Sequence, residues 1–428
     1  MIVVDLKVGG LATAVALAHV RDAEAVALIR GEETWSAGRL HAAVHARAEE
    51  LRADATTEAH MVRVDGGIGT IVELAAAAEA GRDALPLGPR LSDADAEMLV
   101  RAAAEDHGDG SLLVPSTGTS GPPHTRARGR LELRALLQLA DVERRLGLPR
   151  DRPLLVLAPL DHGHGLSAVA AGLLRGLPVV LASRLDPSQQ AALVARHRPG
   201  AVTGVPAQLA ALDAAGGDWT GVEVVVSGSS PLPPGLRARI TAAGPRVVDA
   251  YGTTETGTLT VDGRPVAGVR LRVDADGAIA ARSPLGGRRE LTLPDAARVE
   301  RGRLTAPHRV DGRIDSGGET ADPARLRAAL EALPGVLAAR VRVVEHTTLG
   351  AALAAEVEVD SSGPRDLASL RAALRGRVAS AELPRSAVVR RAGDPPVVEE
   401  GGLDDATVAA DASAAGLSRP AAPRTTRA

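Results

Sequence analysis

The chain lacks cysteine, phenylalanine and asparagine, and it contains one tyrosine, Tyr251, and one lysine, Lys7. The absence of cysteine excludes disulfide bonds, thiolate metal sites and a cysteine nucleophile. The formal net charge of −3 provides no basic surface for nucleic acid. No apolar run reaches the roughly 18 to 20 residues that span a bilayer, and no signal-peptide pattern opens the sequence. We therefore expect a cytoplasmic protein that binds neither nucleic acid nor membrane.

The depleted residue types share AT-rich codons, and arginine occupies nearly every basic position. A GC-rich genome explains this bias without any reference to function. A rare residue type that persists under such pressure is a stronger functional candidate than usual, and Tyr251 is the clearest example.

The 428 residues are enough for two or three domains. Short apolar segments alternate with helical periodicity through the first 260 residues or so, which predicts an α/β fold with doubly wound, largely parallel sheets. From about Val261 the pattern VRLRVDADGAIAARSP predicts an antiparallel hairpin and a β-rich subdomain. A smaller α/β unit follows, with predicted helices at 323–332 and 364–379. We expect a large N-terminal domain at 1–310, a small C-terminal domain at 311–408 and a disordered tail at 409–428.

The segment SLLVPSTGTSGPP at 111–123 is the most informative part of the sequence. An apolar strand leads into a loop whose two glycines permit tight turns. The amides and hydroxyls of such a loop can surround a triphosphate. It is not a Walker loop, because no Gly-Lys-Ser/Thr sequence closes it. By itself the segment is equally typical of a surface loop.

Further motifs follow this loop in order, and together they resemble those of the adenylate-forming (AMP-binding) enzymes. The loop is similar to the family's S-[ST]-G-T-[TS]-G-x-P-K motif, and YGTTE at 251–255 matches Y-G-x-T-E without a gap. The other matching segments are PLDHGHGL at 159–166, SGSSPL at 227–232, GRPVAGV at 263–269, Asp295, and HRVDGRIDSGGE at 308–319. The resemblance covers about residues 13–408. It is strongest to the compact acyl-CoA and aryl-CoA synthetases, including the o-succinylbenzoate–CoA ligases.

The resemblance implies an ATP-dependent carboxylate–CoA ligase with a C-terminal lid domain. In such enzymes a carboxylate attacks the α-phosphate of ATP, giving an acyl-adenylate and pyrophosphate. A thiol of coenzyme A or of a carrier protein then displaces AMP. Chemistry of this kind depends on positioning and charge stabilisation more than on a protein nucleophile. The implied cofactors are ATP, Mg²⁺ and coenzyme A, and the implied partner is a small carboxylic acid.

The resemblance also implies roles for individual residues. Thr254 would bind the α-phosphate, and Glu255 would bind Mg²⁺, because hard cations prefer carboxylate oxygen. Tyr251 would pack its ring on adenine, while Asp295 and Arg309 would reach the ribose. The loop residues assigned to the β- and γ-phosphates are Thr117, Gly118, Thr119, Ser120 and Gly121, and the other cofactor-binding positions are Gly228, Ser229, Gly252 and Thr253.

Most of these assignments have a simpler alternative. Tyr251 also suits a core position, Asp295 a turn after proline and Arg309 a solvated surface. His162 would line the acyl or thioester pocket, with 204–206 and Gly228 close to the acyl group. A metal-ligand role for the His-Gly-His cluster is the alternative for His162, but no acidic residue stands at helical spacing to support it.

Asp311 falls at the hinge about which the family's lid rotates between half-reactions. The alternative is a simple linker position.

Two family lysines are missing from this chain. His124 stands where a lysine follows the phosphate loop, and Gly402 stands at the lid lysine that serves adenylation. Loss of one preorganised charge contact costs on the order of 3 kcal/mol, or about a hundredfold in rate. Candidate substitute cations are Arg126, Arg128 and Arg130, although arginine replaces a compact ammonium poorly. Two hypotheses remain: a ligase with impaired adenylation, and a nucleotide- or acyl-adenylate-binding homologue that acts as a regulatory or partner protein.

Overall fold

The protein is described from a computed structural model, which covers residues 10–54, 59–88, 93–105, 112–116, 124–128, 133–287, 289–346, 349–391 and 397–400. The first part of the chain contains α1 (Gly10–Arg21), β1 (Val26–Arg30), β2 (Glu33–Ser36), α2 (Ala37–Ala53), β3 (His60–Arg63), α3 (Ile68–Glu79), β4 (Ala84–Leu87), α4 (Asp93–Glu105), β5 (Leu112–Ser116) and β6 (His124–Arg128). Strands β3, β4, β5 and β6 form a four-stranded sheet in that order.

The second part of the chain builds most of a nine-stranded sheet. Its elements are α5 (Leu133–Leu146), β7 (Leu154–Val156), α6 (Gly163–Arg175), β8 (Val179–Leu181), α7 (Pro187–His197), β9 (Ala201–Gly204), α8 (Pro206–Ala214), β10 (Val224–Gly228), α9 (Pro234–Ala242), β11 (Arg246–Thr253), β12 (Gly257–Val261) and β13 (Arg264–Pro265). The strand order is β13-β12-β11-β10-β9-β7-β8-β1-β2. The central strands are parallel, and antiparallel strands complete both edges.

Helices cover both faces of this sheet because its central strands are apolar on both sides. Every residue of β7, β9 and β10 is buried, as expected for parallel strands between two helical layers. Alternate residues of β7 and its extension enter different cores: Leu154 and Val156 pack in one cluster, and Leu155 and Leu157 in the other. This arrangement confirms the predicted doubly wound α/β fold.

The last two sheets follow in sequence. A four-stranded antiparallel sheet contains β14 (Arg270–Val273), β15 (Ala278–Arg282), β16 (Leu291–Glu300) and β17 (Arg303–Arg309). A six-stranded sheet contains β18 (Ile314–Ser316), β19 (Glu319–Ala321), β20 (Val336–His346), β21 (Gly350–Val359), β22 (Ser386–Arg391) and β23 (Val397–Glu400), together with α10 (Pro323–Glu331) and α11 (Leu367–Leu374). The β-rich unit and the smaller C-terminal α/β unit were both predicted.

The predicted helix at 364–379 is wrong in length, since α11 covers only Leu367–Leu374. Arg375 has an extended backbone, and Gly376 follows with φ of 76°. Because this left-handed conformation suits glycine and cannot continue a helix, Gly376 completes the termination. A short 3₁₀ turn at Ser380–Glu382 follows directly after the predicted segment.

Candidate active site

The carboxyl ends of four neighbouring strands meet at one edge of the nine-stranded sheet. β7 leads to His162 and His164, β9 ends at Gly204, β10 ends at Gly228, and β11 carries Tyr251. The chain passes from β7 to β8 on one side and from there to β9 on the other side. The connections therefore diverge between β7 and β9, which leaves the crevice where open α/β sheets bind ligands.

A tyrosine–aspartate pair lies on the β11 side of this crevice. The Tyr251 hydroxyl donates a hydrogen bond to Asp295 Oδ2 at 2.8 Å. Asp295 is 8% exposed, and Tyr251 is half-buried. The pKa of Asp295 is raised above its usual value, mainly by burial. Asp311 adds to this shift, and Tyr251 and Arg309 oppose it. The tyrosine also packs on the core of the four-stranded antiparallel sheet, so its side chain is anchored at both ends.

Arg309 lies next to this pair because β16 and β17 place it directly opposite Asp295. Its Nε donates to Asp311 Oδ1 at 3.0 Å, and a terminal nitrogen contacts Asp311 Oδ2. The Arg309 side chain is only 8% exposed, so it is not a solvated surface arginine. Burial raises the pKa of Asp315 on β18 to about 6, with Arg309 opposing the shift and Asp295 and Asp311 adding to it. One guanidinium therefore interacts electrostatically with three carboxyl groups, those of Asp295, Asp311 and Asp315.

A tight turn over 253–256 follows β11 and is closed by two threonine side chains. The Thr253 amide donates to Thr256 Oγ1 at 3.2 Å, and the Thr256 amide donates to Thr253 Oγ1 at 3.3 Å. A Cβ atom at Gly252 would lie 2.1 Å from the carbonyl oxygen of Gly257. Only glycine therefore permits the chain to enter this turn.

The tip of the turn carries Thr254 and Glu255, both half-buried. A buried glutamine, Gln138, supports the strand behind them. Its Nε2 donates to the Thr258 carbonyl at 2.9 Å, and its Oε1 accepts from the Leu285 amide at 3.1 Å. These contacts link α5, β12 and the loop after β15, so the tip of the turn is carried by elements that are fixed to one another.

A second group of side chains lies at the ends of β9 and β10. His164 Nε2 is 2.7 Å from Thr203 Oγ1, and His164 Nδ1 is 3.4 Å from Ser229 Oγ. Burial lowers the pKa of His164 to about 4, and His162 adds to the shift. Ser229 is exposed and has a φ of 69°, a conformation that is uncommon for residues other than glycine. Gly228 adjoins the ring, because a Cβ atom there would lie 3.4 Å from His164 Cε1.

The turn between β18 and β19 closes against the same region. A Cβ atom at Gly318 would lie 2.7 Å from Val205 Cγ1, and one at Gly317 would lie 3.6 Å from Ala207 Cβ. Both glycines have positive φ values. The six-stranded sheet therefore contacts the start of α8, directly after the end of β9.

His162 is half-buried at the N-cap of α6, and its side chain makes no capping hydrogen bond. Several predicted positions lie outside the described residues: Thr117, Gly118, Thr119, Ser120, Gly121, Arg130, Gly402 and 409–428. For His124, Arg126 and Arg128 only the backbone of β6 is described. Their assigned roles stay predictions.

Across the described ranges, no group of three or more histidine, aspartate or glutamate side chains is arranged to hold a metal ion. This does not conflict with a Mg²⁺ role for Glu255, because Mg²⁺ commonly uses one or two carboxylates together with substrate phosphates and water. None of the helices in the described part of the chain is long and apolar enough to cross a membrane.

The set of site residues predicted from the sequence did not include His164, Thr203 or Asp315. His164 appears in the sequence only as a neighbour of His162 in the PLDHGHGL segment. Thr203 sits in an apolar strand, and Asp315 follows the predicted hinge. Only the spatial adjacency of their elements distinguishes these residues from ordinary core or linker positions.

Comparison with known proteins supports the motif assignment. The family model described as "AMP-binding enzyme" matches residues 116–278. A probable 2-succinylbenzoate–CoA ligase of Mycobacterium tuberculosis is 31% identical over 300 residues, which cover 64% of this chain and 77% of that protein.

Solved structures agree on the fold. A malonyl-CoA ligase, solved with methylmalonyl-CoA and AMP, has a TM-score of 0.70 at 25% identity and covers 88% of this chain and 97% of its own. An o-succinylbenzoate CoA synthetase from Bacillus subtilis, solved with a product analogue, has a TM-score of 0.72 at 19% identity, with coverage of 90% and 95%. The chain therefore belongs to the family of AMP-binding, adenylate-forming enzymes.

Proposed function

We propose that the protein is an ATP-dependent carboxylate–CoA ligase that acts through an acyl-adenylate. The observation that carries the proposal is the crevice at the strand ends, which brings the residues predicted to bind adenine, ribose and the α-phosphate to one side. The other side is lined by the residues predicted to contact the acyl group. Relatives with CoA-ligase names support the same reaction class.

The proposed nucleotide site is the β11 side of the crevice. Adenine would pack on the ring of Tyr251, and the ribose hydroxyls would donate to Asp295, whose second oxygen is free of the tyrosine bond. Thr254 would bind the α-phosphate and Glu255 would hold Mg²⁺, both from the turn over 253–256. Arg309 lies opposite Asp295 in the register of β16 and β17 and would reach the ribose from the same side, with its guanidinium held by Asp311.

The proposed thioester site lies where the β18–β19 turn meets the start of α8. Gly204 directly precedes the contact residue Val205, and His162 follows the neighbouring strand β7. A thiol of coenzyme A would approach the acyl carbon here; a carrier-protein thiol is the alternative acceptor. We propose that residues 311–408 act as a lid and that Asp311 is its hinge. The exposed Asp311–Gly312 segment between β17 and β18 is short enough to localise a rotation.

In the first half-reaction a carboxylate oxygen would attack the α-phosphorus, and pyrophosphate would leave. In the second, the thiolate sulfur would attack the acyl carbon, and AMP would leave. The family's adenylation lysine is replaced by Gly402, and the only lysine in the chain is Lys7. We therefore expect the first half-reaction to be slower than the second. The same feature favours a second candidate function, that of a nucleotide- or acyl-adenylate-binding homologue without ligase activity.

Gly402→Lys separates the two candidates. We expect it to raise pyrophosphate release from ATP and a panel of carboxylic acids by up to about a hundredfold. It should leave the conversion of a presynthesised acyl-adenylate and coenzyme A nearly unchanged. Gly401→Lys is the matched control, because it adds the same charge one position away.

Mg-ATP binding is measured first by calorimetry, and we expect a dissociation constant in the micromolar to millimolar range. If ATP binds but neither protein makes acyl-CoA from any adenylate, the binding-protein function stands and the ligase proposal fails. The absence of ATP binding at millimolar concentration would contradict both.

A further inference from the structure

Three side chains from separate elements form one hydrogen-bonded chain on the β9–β10 side of the crevice. His164 comes from α6, Thr203 from β9 and Ser229 from the loop after β10. Thr203 is 2% exposed, and its hydroxyl lies 2.7 Å from the imidazole. The other ring nitrogen lies 3.4 Å from the Ser229 hydroxyl. The chain therefore starts in the core and ends at an exposed residue.

This chain is uncharged at neutral pH, because burial holds the pKa of His164 near 4. A neutral imidazole carries one donor and one acceptor nitrogen. If Nε2 donates to Thr203, Nδ1 accepts from Ser229; in the other tautomer both directions reverse. In either case the Ser229 oxygen keeps hydrogen-bonding capacity that the long contact to His164 does not use.

The conformation of Ser229 is a second observation that points to a ligand. Its φ of 69° would suit glycine, and a non-glycine residue in this region carries strain that is typical of functional sites. The contact of the serine side chain with His164 is long, at 3.4 Å, and the residue as a whole is exposed.

The position of Ser229 places it beside the proposed nucleotide site. Gly228 pairs with Ala250 in the parallel register of β10 and β11, so the next residues, Ser229 and Tyr251, are on adjacent strand ends. Neighbouring strands are about 4.8 Å apart. An acyl group joined to a nucleotide on the β11 side would extend over Ser229 towards β9.

We propose that Ser229, positioned by His164 and Thr203, binds a neutral hydrogen-bonding substituent on the acyl group. The substrates would then be monocarboxylic acids that carry a hydroxyl or keto group. A second carboxylate would be disfavoured, because His164 stays neutral at neutral pH and these three groups therefore offer it no cation. The inference rests on the proposed function, since it assigns the acyl group to this side of the crevice. It also replaces the cofactor-binding role that the family resemblance implies for Ser229.

The test uses stable acyl-sulfamoyl adenosines, which mimic acyl-adenylates and require no catalysis for binding. Calorimetry compares the parent, hydroxylated and dicarboxylic members of an aromatic and an aliphatic series on the full-length protein. We expect at least one hydroxylated analogue to bind about tenfold more tightly than its parent, as one well-placed hydrogen bond allows. The dicarboxylic analogues should bind more weakly than both.

Ser229→Ala should reduce the ratio between hydroxylated and parent affinities to near one. Thr203→Val should reduce this ratio partly, because the His164 ring then loses its hydrogen bond to Thr203. This second variant gives an independent answer if Ser229→Ala is unstable. Ser167→Ala, at an exposed position of α6, is the control and should leave the ratio unchanged.

Equal binding of parent and hydroxylated analogues in the native protein would overturn the inference and leave the ligase proposal standing. A ratio that survives Ser229→Ala and Thr203→Val would overturn it as well. Failure of every analogue to bind would overturn the proposed function itself.

Discussion

The two sides of the crevice bury polar groups in different ways. On the β11 side, charged groups are paired: Arg309 contacts Asp311, and Tyr251 donates to Asp295. On the β9–β10 side, His164 and its two hydroxyl partners carry no charge at neutral pH. Carboxylates held by such contacts suit the hydroxyl groups of a ribose, while neutral groups suit an acyl chain with little charge of its own. The difference supports the proposal that the β11 side takes the nucleotide part of an acyl-adenylate and the β9–β10 side takes its acyl part.

Substitutions on the charged β11 side should lower the free energy of unfolding more than substitutions on the β9–β10 side. Arg309→Ala would leave Asp295, Asp311 and Asp315 close together without their shared cation. Removing one partner of a buried ion pair typically costs about 3 to 5 kcal/mol of unfolding free energy. Urea denaturation at pH 7 measures this loss.

Arg272→Ala is the matched control for that comparison. Arg272 pairs with Glu290 at 2.7 Å, but both side chains are largely exposed. Such surface pairs contribute at most about 1 kcal/mol. Equal losses from the two variants would show that the Arg309 cluster is no more important than a surface contact.

Acid should affect the two sides with opposite sign. The pKa of His164 is lowered to about 4 in the folded protein, so its stabilising contribution is present above pH 6.5 and is lost as pH falls towards 4. The pKa of Asp315 is raised to about 6. Its contribution is therefore present at pH 4 and is lost as pH rises through 6. After allowance for partial exposure, each effect should reach about 2 kcal/mol.

Unfolding free energies of the native protein, His164→Gln and Asp315→Asn between pH 4.5 and 7.5 test this. Relative to His164→Gln, the native protein should lose stability on acidification; relative to Asp315→Asn, it should gain stability. The comparison with each variant removes the contribution of other titrating groups. Slopes of the same sign would mean that the contrast between the two sides is wrong.

The smallest expected effect concerns the aromatic ring itself. Tyr251→Ala should weaken ATP and AMP binding alike, by roughly 1 to 2 kcal/mol, because the proposed contact is to adenine. Tyr251→Phe keeps the ring and removes the hydroxyl that donates to Asp295. It should bind both nucleotides within about threefold of the native protein and lose about 1 kcal/mol of stability. Calorimetry and urea denaturation measure both quantities, and equal affinity losses in the two variants would contradict stacking.

Much of the fold could be predicted from local sequence patterns. The apolar runs of β7, β9 and β10 and the helical periodicity between them are sufficient to indicate a doubly wound sheet. The DADG turn likewise predicts the β14–β15 hairpin, which pairs as expected. The helix ending at Leu374 could not be placed, because termination there depends on the conformations of Arg375 and Gly376.

The same distinction between local sequence patterns and tertiary contacts applies to the candidate site. The sequence by itself determined the family, because ordered motifs such as YGTTE at 251–255 survive in a chain that has lost most other rare residues. Only the tertiary structure decided which side chains meet. His164, Thr203 and Ser229 are 26 or more positions apart in sequence, and Asp295 and Tyr251 are 44 apart. Local periodicity carries no information about such pairs, since strand order and register, which bring them within hydrogen-bonding distance, are set by the packing of the whole sheet.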